Sequence, residues 1–186
     1  MNLILDVDGT LIDNDDGDPV ERPFLKEFLI FVFDHFHTVS IWTNATPIWF
    51  NMVLDRILNP FLPEGKSFHF IWTREHCIME RVHLHPRPYT RKPLTQVYTA
   101  FPTTHSPENT LIVDDSPETY IHNPLSAVPV ATYRWGGMAL CESMPGSGGG
   151  GATDIAHSDS DSDSDGGDPD KELLRLISHF KTTYFS

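Results

Sequence analysis

The chain has 186 residues, enough for one domain of ordinary size, and its 13 Lys plus Arg against 26 Asp plus Glu give a formal charge of −13. That balance leaves no basic field to hold a polyphosphate backbone, so general nucleic-acid binding is excluded, and 39% hydrophobic residues exclude wholesale disorder. Two cysteines, Cys77 and Cys141, cannot build a disulfide framework or a four-thiolate metal site. Residues 1–6 lack a basic leader region, and no apolar run approaches the roughly 20 residues of a membrane span. A soluble intracellular protein is expected.

Short apolar runs alternate with helical patterns, which predicts an α/β fold with a Rossmann-like parallel sheet flanked by helices. Leu3 to Val7 reads as a buried strand. A helix follows Pro23, with Phe24, Phe28, Phe31 and Val32 at helical spacing. Thr38 to Thr43 is the next strand, leading into a helix over Ile48 to Leu58. Strands are expected at Phe68 to Trp72, Leu111 to Val113 and Val128 to Ala131, and a short helix at Leu94 to Phe101. Residues 143–168 combine a Gly-rich linker with Ser-Asp repeats, a composition that buries nothing and predicts a disordered acidic insert suited to a basic partner. The core is therefore expected over 1–142. A terminal helix over 169–186, with Leu173, Leu176, Ile177 and Phe180 on one face and Asp168 and Pro169 opening it, is expected to pack back on that core.

Asp6-Val7-Asp8-Gly9-Thr10 follows the first strand directly, where open α/β sheets place their ligands. Asp6 suits a covalent nucleophile toward phosphorus, and Asp8 an acid that protonates the leaving oxygen and then a base toward water. Carboxylates facing a phosphate need a cation, and Mg²⁺ takes one or two carboxylates plus phosphate oxygens. Asp114-Asp115 ends another apolar strand, so four carboxylates converge on one edge, an arrangement that is costly without a metal. Thr43 ends a third strand and could hold the phosphate. Lys92 is the best cation to balance Asp6, with Arg91 as its rival.

Together these residues resemble the haloacid dehalogenase superfamily of aspartate-nucleophile phosphatases. Arg22-Pro23-Phe24-Leu25-Lys26-Glu27-Phe28-Leu29, Ile41-Trp42-Thr43 and Leu111-Ile112-Val113-Asp114-Asp115-Ser116-Pro117 resemble its NLI-interacting-factor group, which includes the RNA polymerase II C-terminal-domain phosphatases. The resemblance runs to about residue 135 and resumes in the last helix. It implies Asp6 as nucleophile, Asp8 as acid/base and backbone metal ligand, and Thr43 and Lys92 as phosphate-binding residues. It also implies that Asp115 ligates Mg²⁺ with Asp6, while Asp114 supports Lys92 and the metal shell. Gly9 stands where that group commonly has a bulkier residue, although glycine is the commoner choice in the wider superfamily.

Between Leu11 and Arg22 there is no room for a cap domain or for the substrate-reading sheet that the small polymerase-tail phosphatases insert there. A capless, open site is expected, with Asp13, Asp15, Asp16 and Asp18 at its entrance disfavouring polyanions. The function this implies is Mg²⁺-dependent hydrolysis of phosphoserine or phosphothreonine in a phosphoprotein substrate. The alternatives are a phosphatase of a nucleic-acid end or small metabolite, and a non-catalytic binding module of the same fold. Proteins of this group occur in eukaryotes and in large DNA viruses, so nucleus and cytoplasm, including those of an infected host, both stay open. The calcium-loop-like pattern from Asp161 to Glu172 is an expected product of the Ser-Asp repeat, and His76, Cys77, His83 and His85 fit no closed zinc site.

Overall fold

The computed structural model describes residues 1–15, 17–81, 88–135 and 170–185. Strands β1 (Asn2–Leu5), β4 (Thr38–Trp42), β5 (Ile71–Trp72), β8 (Thr110–Asp114) and β9 (Ala127–Pro129) form one parallel sheet in the order β5-β4-β1-β8-β9. The central strand is buried on both faces, as its unbroken apolar run requires. Leu3 and Leu5 point into the larger apolar cluster, and Ile4 points into the smaller one.

Helix α1 (Leu25–His35) covers the larger face with Leu25, Phe28, Leu29 and Val32. Helix α2 (Pro47–Val53) continues through a π-helical stretch, Leu54–Leu58, into the short α3 (Asn59–Phe61), so this element extends past the expected end at Leu58. On the other face α4 (Thr95–Ala100) places Val97 against Ile4, Trp42 and Ile112. The strand expected over Phe68 to Trp72 is shorter because only Ile71 and Trp72 pair regularly with β4. His69 and Phe70 still exchange backbone bonds with Val39 and Ile41.

Helix α5 (Glu172–Tyr184) returns to the larger face, burying Leu173, Leu176 and Phe180, with the Phe180 and Phe36 rings 5.1 Å apart. Its first turn is held by the Asp170 carboxylate, which accepts from the Glu172 N–H at 2.7 Å. Asp168, Pro169 and the insert expected over 143–168 lie outside the described residues, as do His83, His85 and Cys141.

Two antiparallel pairs occupy segments expected to be loops. Strands β2 (Ile12–Asp15) and β3 (Asp18–Glu21) form a hairpin directly after the first aspartate motif. Strands β6 (Ile78–Glu80) and β7 (Tyr89–Arg91) form another, directly before Lys92. The first hairpin is the whole of what stands between Leu11 and Arg22 among the described residues, so no cap domain is inserted there.

Candidate active site

Register decides what meets at the carboxyl end of the sheet. Leu5 pairs with Ile41 on one side and Val113 on the other, so Asp6 and Asp114 emerge at one level, and Thr43 follows one residue beyond it, after Trp42. Asp6 keeps the pairing through its N–H to the Val113 carbonyl at 2.9 Å. The chain then turns tightly, with Thr10 and Leu11 donating to the Val7 carbonyl at 3.1 and 2.8 Å. Gly9 makes this turn at φ +83, a conformation that favours glycine, and a Cβ there would sit 2.5 Å from Asp115 Oδ2.

Lys92 enters from the end of β7 and is 1% exposed. Its ammonium donates to Asp6 Oδ1 at 2.5 Å and to Asp114 Oδ2 at 2.7 Å. The backbone beneath it is fixed by Asn123, whose amide bridges the Lys92 carbonyl and the Leu94 N–H. Arg91 points elsewhere, to Glu80 at 2.7 Å and the Glu118 carbonyl at 2.6 Å, so the cation beside Asp6 is Lys92. The second Asp6 oxygen accepts from Thr10 Oγ1 at 3.2 Å.

Asp8 is held differently. Trp49 Nε1 donates to its Oδ1 at 2.7 Å, and Thr43 Oγ1 donates to its Oδ2 at 3.3 Å. Thr43 Oγ1 itself accepts from the Ala45 N–H at 3.0 Å. Asp114 Oδ1 accepts from the Ser116 N–H at 2.9 Å, which leaves Asp114 fully engaged between that amide and Lys92.

The electrostatics are those of a carboxylate cluster with too little positive charge. Burial pushes the Asp6 carboxyl up to about 7, Asp114 and Asp115 add to the rise, and Lys92 opposes it. Burial also raises Asp115. Burial would lower the Lys92 ammonium, but Asp6 and Asp114 outweigh it and hold Lys92 above its ordinary value. Oxygens from Asp6, Asp114 and Asp115 all lie within 4.8 Å of one another. Hard oxygen donors, an excess of negative charge and a glycine that leaves space against Asp115 fit a divalent cation.

These groups line an open cavity of about 480 Å³. All six residues expected from the sequence border it, namely Asp6, Asp8, Thr43, Lys92, Asp114 and Asp115. Four that were not expected do so as well. Asn14 comes from the first hairpin, Trp49 from α2, and Glu118 from the turn after β8. Arg74 is braced by its Nε on the Asn44 carbonyl at 2.8 Å. Two of the four aspartates expected at the entrance, Asp13 and Asp18, are held away from it, and the Asp15 side chain lies outside what is described. Asp13 is buried and accepts from the Trp135 N–H at 2.7 Å, because that bond and Arg134 satisfy its charge inside. Asp18 pairs with Arg56 at 2.9 Å on the surface. Asp16 lies outside the described residues, and Asn14 is the hairpin side at the cavity.

Residues 1–140 match the family model described as NLI interacting factor-like phosphatase. The ubiquitin-like domain-containing CTD phosphatase 1 of Danio rerio is 24% identical over 136 residues, 70% of this chain and 42% of that protein. A probable C-terminal domain small phosphatase of Dictyostelium discoideum is 30% identical over 114 residues, 61% of this chain and 31% of that protein. The chain thus spans less than half the length of the curated relatives it matches. Among solved structures, Fcp1, an essential RNA polymerase II CTD phosphatase, superposes with a TM-score of 0.50 at 18% identity, covering 72% of this chain and 42% of that one. That likeness concerns the fold alone, an α/β architecture with a parallel sheet flanked by helices. The sheet-end aspartates, the buried lysine and the match over residues 1–140 agree, and the chain belongs to the NLI interacting factor-like phosphatase family.

Proposed function

We propose that the chain hydrolyses phosphomonoesters in the presence of Mg²⁺ through an aspartyl-phosphate on Asp6, with phosphoserine or phosphothreonine of a protein as substrate. The observation that carries this reading is the Asp6 carboxylate, buried and clamped by Lys92 and Thr10 yet bordering an open cavity. Lys92 fixes one Asp6 oxygen and supplies positive charge where the transferring phosphoryl group would lie. An Asp6 oxygen attacks phosphorus, the ester oxygen leaves with a proton from Asp8, and Asp8 then takes a proton from the water that cleaves the aspartyl-phosphate. Thr43 lines the cavity beside Asp8, where its hydroxyl can turn to a phosphate oxygen.

Asp6, Asp115 and the Asp8 backbone would hold Mg²⁺, with Asp114 behind them, and the ion would neutralise charge on phosphate and carboxylates. Preference for a protein over a polynucleotide end does not rest on an acidic entrance, since Asp13 and Asp18 are turned away. It is supported by the family match, by relatives named CTD phosphatases, and by a cavity open enough for a protein surface. No helix among the described residues is long and apolar enough to cross a membrane.

The test is para-nitrophenyl phosphate turnover with and without Mg²⁺, in the native chain and in Asp6→Asn, followed by a phosphopeptide series. Mg²⁺-dependent turnover that vanishes in Asp6→Asn supports the reading. Metal-independent turnover, or full activity in Asp6→Asn, overturns it.

A further inference from the structure

We propose that Trp49 is a positioning residue for the acid–base carboxylate. Its indole N–H pins Asp8 Oδ1, so that Oδ2 is the oxygen presented to the ester. The inference rests on the reading of Asp8 as the proton donor.

Two side-chain hydrogen bonds reach Asp8 among the described residues, and they are unequal. The Trp49 Nε1 bond to Oδ1 is 2.7 Å, whereas the Thr43 hydroxyl lies 3.3 Å from Oδ2. An indole nitrogen only donates, whereas a hydroxyl can donate or accept and can rotate away. While the Trp49 bond holds, Oδ1 is committed as an acceptor and cannot carry the transferable proton. Oδ2 is left for it, next to Thr43 and the cavity.

The donor is itself braced. Pro47 opens α2 with a fixed φ, and Thr46 Oγ1 accepts from the Trp49 backbone N–H at 3.4 Å. The ring packs against the larger apolar cluster. A carboxylate within a tight turn, directly before its glycine, would otherwise rotate freely about its last bond, and a general acid works only when its proton points at the leaving oxygen. In the first step an Asp6 oxygen–phosphorus bond forms and the phosphorus–ester oxygen bond breaks. The ester oxygen keeps the electron pair and takes the proton from Asp8 Oδ2. In the second step water gives a proton to the same Oδ2 as its oxygen bonds phosphorus, and Asp6 is released as carboxylate.

The readout is dependence on the leaving group. Para-nitrophenolate departs with little help from an acid, whereas phenolate or a serine alkoxide needs the proton. In Trp49→Phe, kcat/KM for phenyl phosphate and a phosphoserine peptide is expected to fall roughly tenfold or more, and for para-nitrophenyl phosphate by less than about threefold. The Mg²⁺-induced rise in Tm should be unchanged. Asp8→Asn, run alongside, should give the same pattern more strongly. Equal losses on all substrates, or no loss on any, overturns the role of Trp49. Asp8→Asn without leaving-group dependence overturns the reading of Asp8 instead, and both fall if the native chain turns over no substrate with Mg²⁺. Should Trp49→Phe fail to fold, benzothienylalanine at position 49, which replaces the N–H by sulfur and keeps the ring's shape, gives the same readout.

Discussion

Asp6 and Asp8 are two residues apart and carry the same side chain, but the fold gives them opposite surroundings. Asp6 is buried, bonded at 2.5 Å to a buried lysine and crowded by Asp114 and Asp115. Asp8 is half-buried, and its partners are an indole N–H and a threonine hydroxyl, both uncharged. In an extended strand residues two apart share a face, but here the chain turns after Val7, so Asp6 stays at the sheet's end while Asp8 meets α2 through Trp49. The comparison teaches that a spacing of two can divide two roles between identical groups. In the proposed function the group set in the charge cluster attacks phosphorus, and the group held by neutral donors carries the proton.

The comparison breaks most sharply at Asp6. Asp6→Asn keeps the volume and removes the proposed nucleophile, and turnover should fall by at least roughly 10³-fold. Initial rates on para-nitrophenyl phosphate measure this, and loss of the acid-stable phosphoprotein trapped at the end of a burst would accompany it. Asp8→Asn should spare the burst relative to steady-state turnover, because attack on a good leaving group needs no acid whereas water activation needs a base.

Next in size is the lysine. Lys92→Met leaves Asp6 and Asp114 buried without their shared cation, and breaking such a group by removing one partner costs about 3–5 kcal/mol. Denaturant unfolding in EDTA should show that loss. Adding Asp114→Asn should recover part of it, since one stranded charge then disappears. A Lys92→Met protein of native stability would mean the cluster is not a charge cluster at all.

Gly9 follows both carboxylates and tests the space they leave against Asp115. Gly9→Ala places a methyl 2.5 Å from Asp115 Oδ2 at φ +83, with Thr132 Cγ2 at 3.2 Å. The backbone strain alone is on the order of 1–3 kcal/mol. Moving Asp115 away should also weaken Mg²⁺ binding, which isothermal titration would read. Unchanged affinity would place the ion away from Asp115.

The Asp6 half was readable in the sequence because strand-end carboxylates and a parallel α/β pattern specify each other. Once β1 and β8 are strands, Asp6 and Asp114 must lie side by side. Lys92 needed the family resemblance, because the choice between it and Arg91 is made by how β7 ends, and that depends on a hairpin with no clean alternation. The exposed Ile78 and Met79 gave no buried face to read. The Asp8 half was largely hidden. Trp49 lies in the helix expected over Ile48 to Leu58 and Arg74 in the segment after β5, but neither position marks its side chain as one that meets the cavity. The first hairpin did leave a signal, Asp16-Gly17 between short runs, and Gly17 adopts φ +94. Its four aspartates concealed that signal by reading as a solvated loop. Asp13 is instead held inside by the Trp135 N–H, a partner far away in the chain.

The smallest expected effect concerns protons. With no metal, burial and two neighbouring carboxylates hold Asp6 near 7, above its unfolded value of 3.8. The folded state then binds more protons than the unfolded one, so the contribution of Asp6 to stability is fully present below about pH 4 and is lost as pH rises toward 7. Asp6→Asn cannot titrate. In EDTA, therefore, the Tm of the native chain should fall relative to that of Asp6→Asn between pH 5 and pH 8, by on the order of a few degrees. Mg²⁺ should reverse the order. The ion binds the ionised cluster, so the Tm gain it gives the native chain should grow with pH, while Asp6→Asn gains less throughout. Asp8→Asn, which leaves the charge cluster intact, should follow the native chain in both conditions. If it followed Asp6→Asn instead, the two carboxylates would share one electrostatic environment, and the division of roles between them would have to come from the substrate rather than from the fold.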